Sequence, residues 1–381
     1  MKHLYIFDET YSNAAIFGIG KYVKLLLDVL SDVCMDVTVV KLYSTFDHLM
    51  IEYIDGVRYI YIPSLTPEYA SRTHYYLSAS FMLLPYISLT DSNIFHYNYL
   101  SLKEMSVVLK HYYPDSHSLL TIHYRDSNRM KDDLNVRKFV NDCCDKIIVL
   151  TKKAAISLCE DYDTPRDKIF IVPNYVSDNS IVSSMDKNEI KKILGFNQDK
   201  KILLYVGRFD SNKNPYLLLR VFLSLVKNDT SFHLVLIGKG DYDSLFDIIM
   251  GNWSSITFTG FLDSNQLKLF YSIADIGIIP SYYEEFGYVA LEMLMHGIPV
   301  VANRVGGLKE IIEDGISGRL LDLYIDENTE NSEVILKNAI LEILSDDTKY
   351  NYYSINARKR YKDFFCVEKF KIKMLDIYNV F

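Results

Sequence analysis

Two cations and two carboxylates stand where they could handle a phosphorylated ligand. The stretch VGRFDSNKNP (206–215) carries Arg208 and Lys213 on one loop, directly behind the apolar run KILLYVG (201–207). A planar guanidinium fork together with a compact ammonium is the pair a diphosphate needs; the alternative is two solvated loop cations. Further on, PSYYEEFGYVALEMLMHGIPVVA (280–302) carries Glu284 and Glu292 on either side of Gly287 in mostly apolar surroundings. A carboxylate there is costly unless something hydrogen-bonds it. Helix-forming residues run from Val289 to His296, so the amides of Gly287, Tyr288 and Val289 open a helix, an end that attracts phosphate through its N–H groups and dipole. Glu292, one turn in, is then placed to accept hydrogen bonds from a ribose diol. The alternative is that it caps or pairs with a neighbouring helix.

The first half offers less. FGIGKYV (17–23) is glycine-rich, precedes a helix and could approach a phosphate with its backbone, or it is a simple tight turn. It is no dinucleotide fingerprint, because the third glycine is missing and Tyr22 is bulky there. Asn13 and the small residues around it leave room for a second ligand. In TIHYRD (121–126), His123 ends an apolar strand. A neutral imidazole there can hydrogen-bond a sugar hydroxyl or a developing charge, or it is a satisfied structural residue. ARKRYKDFFCVEKFKIK (357–373) reads as an ordinary amphipathic helix; the other reading is a basic, aromatic helix on a membrane surface.

The elements that must position these residues alternate. Apolar strands are expected at 3–8, 36–43, 58–63, 93–98, 118–123, 146–151 and 168–174, with helices near 20–31, 69–85, 101–111, 134–144 and 152–161. A polar linker is expected at 177–200, after which the pattern restarts with strands at 201–207, 232–238, 255–260, 276–281, 299–303 and 318–322. Apolar strands alternating with helices imply α/β architecture with parallel sheets covered on both faces, here as two successive doubly wound domains. Ligands of such sheets bind beyond the carboxyl ends of the strands, where the residues singled out above fall. Two such edges facing each other would make one cleft.

Composition narrows the class. With 381 residues, 49% of them hydrophobic and 24% charged, the chain fits two ordinary globular cores. The net charge of −8 gives no basic footprint for nucleic acid, so an anionic ligand has to be met by local cations. Five cysteines without CxxC or zinc spacing suggest reduced thiols in the cytosol. MKHLYIFDET is too short in apolar run for a signal peptide, and no stretch is long enough to span a bilayer. No metal ligands stand out.

The C-terminal half resembles retaining glycosyltransferases of family 4, which have the GT-B fold. The resemblance is carried by VGRFDSNKN, by LIGKG (236–240) and by the run from FTGFLDSNQLKLFYSIAD through EEFGYVALE, HGIPVVA and the glycine pair at 306–307 to GRLL. Weaker echoes occur at FGIGKYV, TIH, KIIVLTKKA and KIFIVPNYVS. The resemblance implies two Rossmann-like domains facing each other across a cleft: residues 1–180 on the acceptor side, 181–355 binding the nucleotide sugar, and 356–381 as a helix returning to the first domain. It implies that Arg208 and Lys213 hold the donor diphosphate, that Glu292 binds the ribose, and that Glu284 lies near the transferred sugar. Amides of Phe286 to Val289 would help hold phosphates and sugar, Gly20 would lie nearest the distal phosphate, and His123 would contact the transferred sugar. The implied reaction is glycosyl transfer with retention, metal-independent and without a cofactor, from a UDP-sugar before a GDP-sugar. The acceptor would be a glycan, lipid-linked or peptide precursor, in the cytoplasm or at the inner face of the membrane. A catalytically silent subunit supporting a partner transferase is the other reading. The sequence departs from the family at Phe17, Tyr175, Glu285, Met295 and His296; Glu285 could alter which sugar is accepted.

Overall fold

In the computed structural model the described residues are 2–9, 18–31, 33, 35–64, 71–89, 92–123, 133–178, 186–249, 251, 253–324 and 329–379, with Gly18 and Thr329 described in backbone only. The chain forms two compact units, Met1–Asn174 with Phe370–Phe381, and Tyr175–Lys369. The division thus falls at 174/175, whereas the sequence suggested 180/181. Residues 356–369, expected with the returning helix, belong to the second unit.

The first unit is built on an eight-stranded sheet: β1 (Lys2–Asp8), β2 (Asp36–Ser44), β3 (Met50–Ile54), β4 (Val57–Pro63), β5 (Ser92–Tyr97), β6 (His117–Ile122), β7 (Lys146–Val149) and β8 (Ile169–Ile171). Their order is β3-β4-β2-β1-β5-β6-β7-β8. The central strands are buried on both faces, as continuous apolar runs of parallel strands must be. β3 is an addition to the expected set. It pairs antiparallel with β4 at the edge of the sheet through an Asp55–Gly56 turn with both residues at positive φ. Its side chains are mostly exposed, so no apolar run marks it, although the Asp-Gly pair is a hairpin signal.

The C-terminal helix Val367–Asn379 is tied into this unit. Phe370, Met374, Ile377 and Tyr378 are buried. The lysines of β1 and β7 cap its last turn: Lys2 Nζ donates to the carbonyls of Tyr378 and Asn379 (3.1 and 3.3 Å), and Lys146 Nζ to that of Ile377 (3.0 Å). Beneath it His96 bridges Tyr378 OH through Nδ1 and Thr121 Oγ1 through Nε2, each at 2.7 Å. Burial, with His123 nearby as a lesser cause, holds His96 down to about 3 from its ordinary 6.5. The unfolded chain therefore takes up a proton that the folded chain refuses. The stability contributed by neutral His96 is complete above pH 6.5 and is lost as pH falls toward 3. Urea unfolding of the first unit should weaken by about 1.4 kcal/mol per pH unit below 6.5 from this residue alone. The slope should shallow in His96→Gln, and an unchanged slope would contradict the assignment.

The second unit carries six parallel strands: β9 (Lys201–Val206), β10 (Phe232–Ile237), β11 (Ile256–Gly260), β12 (Ile276–Ile279), β13 (Val300–Asn303) and β14 (Gly318–Leu321). The order is β11-β10-β9-β12-β13-β14, the doubly wound pattern whose direction reverses between β9 and β12. The expected linker at 177–200 is corrected: Lys187–Ile193 is a helix of this unit with a capping box at Asp186. Its polar composition hid its anchors. Lys187 pairs with Asp275 at 2.6 Å, and buried Lys191 donates to the carbonyls of Gln198 and Lys200.

The basic stretch at 357–373 divides between two helices, Asp347–Phe364 and Val367–Asn379. Its arginines are spent internally: Arg358 pairs with Asp178 (2.5 Å), and Arg360 donates to the carbonyls of Glu310 and Ile311. Among the described residues no helix is long and apolar enough to cross a membrane.

Candidate active site

β9 ends at Val206, and the loop that follows is pinned to the loop behind β10. Gly207 N–H donates to the Ile237 carbonyl (2.9 Å), Phe209 N–H to that of Lys239 (2.8 Å), and Asp241 N–H back to that of Phe209 (2.9 Å). Arg208 sits inside this clamp. Its carbonyl accepts from the buried Tyr205 hydroxyl at 2.7 Å, while its side chain is 73% exposed and reaches Asp210 at 3.1 Å. Asp210 then shapes the next turn, accepting from Lys213 N–H at 2.9 Å through Oδ1 and from Asn214 N–H at 3.0 Å through its carbonyl. Asn214 caps the helix Pro215–Val226, with proline in its first turn. The backbone of Lys213 is therefore fixed at the start of a helix.

The partner loop follows β12. Tyr282 N–H donates to the Asn212 carbonyl (2.8 Å) and Asn212 Nδ2 to that of Tyr283 (3.3 Å), so Asn212 joins the loops behind β9 and β12 through its backbone and its side-chain amide. Their side chains meet as well: Lys213 Nζ is in direct contact with Glu284 Oε2, both side chains about one-fifth exposed. From the other side, Gly307 N–H donates to the carbonyls of Glu284 and Glu285 (3.2 and 3.1 Å). Phe286 is buried, and Gly287, at φ 106°, turns the chain into the helix Tyr288–Met295 with no side-chain cap. The first N–H groups of any helix have no partner within it, which suits this start to an oxyanion.

Glu292 projects from that helix, and its Oε2 accepts the Tyr271 hydroxyl at 2.8 Å. Tyr271 belongs to the neighbouring helix Ser264–Ile273. The carboxylate in the apolar run thus has a protein partner, as the pairing alternative required.

The first-unit candidates are placed within that unit. His123 Nε2 lies 3.1 Å from Asn98 Oδ1, and the Tyr22 ring stands edge-on at 4.4 Å. Burial lowers His123 to about 3, so the imidazole is neutral at pH 7. Asn98 is itself held by donating to the Phe7 carbonyl at 3.1 Å. Gly20, expected in a loop, lies in the first turn of the helix Gly18–Leu30 and is buried. Asn13, Phe17 and the polar loop after His123 fall outside the described residues.

Sequence reasoning missed Asp210, Asn212 and Tyr271. An Asp three residues before the Lys213 amide is the local signal of an Asx-type turn. Tyr271 left no local signal, because its partner is on another helix. Among the described residues no cluster of three or more His, Cys, Asp or Glu could hold a metal ion.

Residues 186–360 match the family model for glycosyl transferases, group 1. The chain is 29% identical over 241 residues to an uncharacterized glycosyltransferase of Methanocaldococcus jannaschii, covering 62% of this chain and 60% of that protein. It is 33% identical over 187 residues to the D-inositol 3-phosphate glycosyltransferase of Mycolicibacterium smegmatis, covering 48% and 43% respectively. The chain thus spans from about two-fifths to three-fifths of the length of these relatives. Among solved structures, Anabaena HepE in complex with UDP superposes with a TM-score of 0.76 at 14% identity, over 100% of both chains. Sucrose-phosphate synthase from Thermosynechococcus elongatus gives 0.73 at 20% identity, over 100% and 98%. WaaG, a glycosyltransferase of lipopolysaccharide biosynthesis, gives 0.72 at 16%, over 98% and 99%. The chain therefore has the GT-B fold, and the likeness of its residues 186–360 to the group 1 glycosyl transferases supports a glycosyltransferase.

Proposed function

We propose that this chain is a retaining glycosyltransferase of family 4 type that moves a hexosyl unit from a nucleotide sugar to a hydroxyl of a glycan or glycoconjugate precursor. The observation that carries the reading is the convergence of Arg208, Lys213, Glu284 and the Gly287–Val289 helix start where the strand order reverses between β9 and β12. A UDP-sugar is the favoured donor, since HepE of the same fold was solved with UDP and with UDP-glucose. The acceptor class follows WaaG and a Klebsiella pneumoniae relative from a cps region.

In this reading the bond between the anomeric carbon and the β-phosphate oxygen breaks while the acceptor oxygen bonds to the same face of that carbon. The acceptor's proton passes to the departing diphosphate, whose growing charge is met by Arg208, Lys213 and the helix-start amides. Protein cations supply the countercharge, and no side chain serves as nucleophile. Glu284, held by Lys213, is assigned to the transferred sugar, and Glu292 to the ribose. In the first unit, Gly20 is assigned to the distal phosphate and neutral His123 to a sugar hydroxyl.

Calorimetry with UDP alone tests the donor assignment. Glu292→Ala should weaken binding by about tenfold or more, the loss expected for a charged acceptor of two hydroxyls. Unaltered affinity would remove the ribose role.

A further inference from the structure

We propose that Tyr271 is a positioning residue for nucleotide recognition: its hydroxyl holds the plane of the Glu292 carboxylate so that the acid meets both hydroxyls of a ribose at once. The inference rests on the ribose role proposed for Glu292 and goes beyond it by naming what orients the acid.

The geometry is specific. The Tyr271 ring is buried on the helix Ser264–Ile273, and its hydroxyl donates to Glu292 Oε2 at 2.8 Å. Burial, reinforced by the Glu292 charge, raises the phenol well above its ordinary range, so it keeps the proton it donates. The His296 ring lies against it, centroids 5.1 Å apart, and blocks that side. His296 Nε2 is buried without a partner among the described residues, so this ring packs against Tyr271 without drawing its hydroxyl away from Glu292. Fixing the rotamers of a glutamate costs free energy if it is done on binding, and less if the folded chain has done it already. A donor on a ring with two torsions anchors one carboxylate oxygen. Each carboxylate oxygen accepts more than one hydrogen bond, so the anchored group can still take both protons of a cis-diol.

The test is the ratio of affinities for UDP and 2′,3′-dideoxyuridine diphosphate, by calorimetry on the full chain. If the wild type binds GDP more tightly, the guanosine pair is used instead. The wild type should prefer the ribonucleotide. Tyr271→Phe should shrink that preference about fivefold or more while leaving dideoxynucleotide affinity in place, because the dideoxy sugar has no diol to engage Glu292. In a Glu292→Ala background the same change should leave the ratio alone, since Tyr271 acts through the acid. A parallel fall for both nucleotides would mark a merely structural role and overturn the proposal, as would an undiminished preference. A wild type that does not distinguish the two nucleotides would overturn the ribose reading itself. If Tyr271→Phe fails to fold, Glu292→Asp withdraws the acid from the tyrosine by one methylene, and a retained ratio there would overturn the proposal.

Discussion

Arg208→Ala should lower turnover on the order of a hundredfold, and Lys213→Ala at least as much, because in the proposed reaction each removes a donor aimed at charge that develops on the leaving diphosphate. The two variants should differ in stability, which makes the pair informative. The Arg208 side chain is 73% exposed and reaches an Asp210 that already accepts from the Lys213 amide of the same turn, so its loss should leave the melting temperature in place. Lys213 neutralises Glu284 with both side chains about four-fifths buried. Its removal leaves a largely enclosed carboxylate without its cation and should cost about 1–3 kcal/mol. The assay is steady-state release of nucleoside diphosphate from a panel of nucleotide sugars, read beside thermal melts. Near-wild-type turnover in either variant would show that these cations do not meet the diphosphate.

The second large effect is expected at Gly306. The turn behind β13 lies on the loop that carries Glu284, and Gly306 takes φ 44°. A Cβ added there would stand 1.5 Å from the Glu284 carbonyl oxygen and 2.7 Å from its carbon. Neither backbone can yield without moving the other, and Gly307 fixes the spacing through its two hydrogen bonds to Glu284 and Glu285. Gly306→Ala should therefore push the Glu284 loop out of place and reduce turnover on the order of a hundredfold, as displacements of about 1 Å do at reacting centres. The overpacking should cost about 1–3 kcal/mol. Gly315→Ala is the matched control: its φ of 78° carries a comparable backbone penalty, yet nothing lies within 4 Å of the added carbon. That variant should lose about 1 kcal/mol and keep its activity. Equal turnover in the two variants would mean that the turn does not position Glu284.

Much of this was legible in the chain. Buried parallel strands have to be apolar along their whole length, so β5, β6, β7, β9, β10 and β12 stood out as runs such as KILLYV and IGII. The site candidates were then sought just behind these strands, and Arg208, Lys213, Glu284 and His123 do follow β9, β12 and β6. Elements whose burial is one-sided or absent escaped: β3 is an exposed edge, and the helix Lys187–Ile193 hides a buried lysine in a polar sequence. The family resemblance gave Gly20 the part of a loop residue, yet Gly18 and Gly20 lie in the first turn of a helix that packs against β1.

Sequence by itself settled residue type and local period: which apolar runs form the buried strands, roughly where they end, and which polar groups stand behind them. Those follow from propensity and from the need to bury apolar faces, both local properties. Which strand lies beside which is a nonlocal choice, and only the tertiary structure made it. Placing β9 next to β12 brought Lys213 to Glu284 across 71 residues, and packing two helices brought Tyr271 to Glu292 across 21. The physical reason is that hydrophobic burial fixes the face a segment hides and has no direction within the core. Partners are selected by packing and by the cost of leaving a buried charge or hydroxyl without a hydrogen bond.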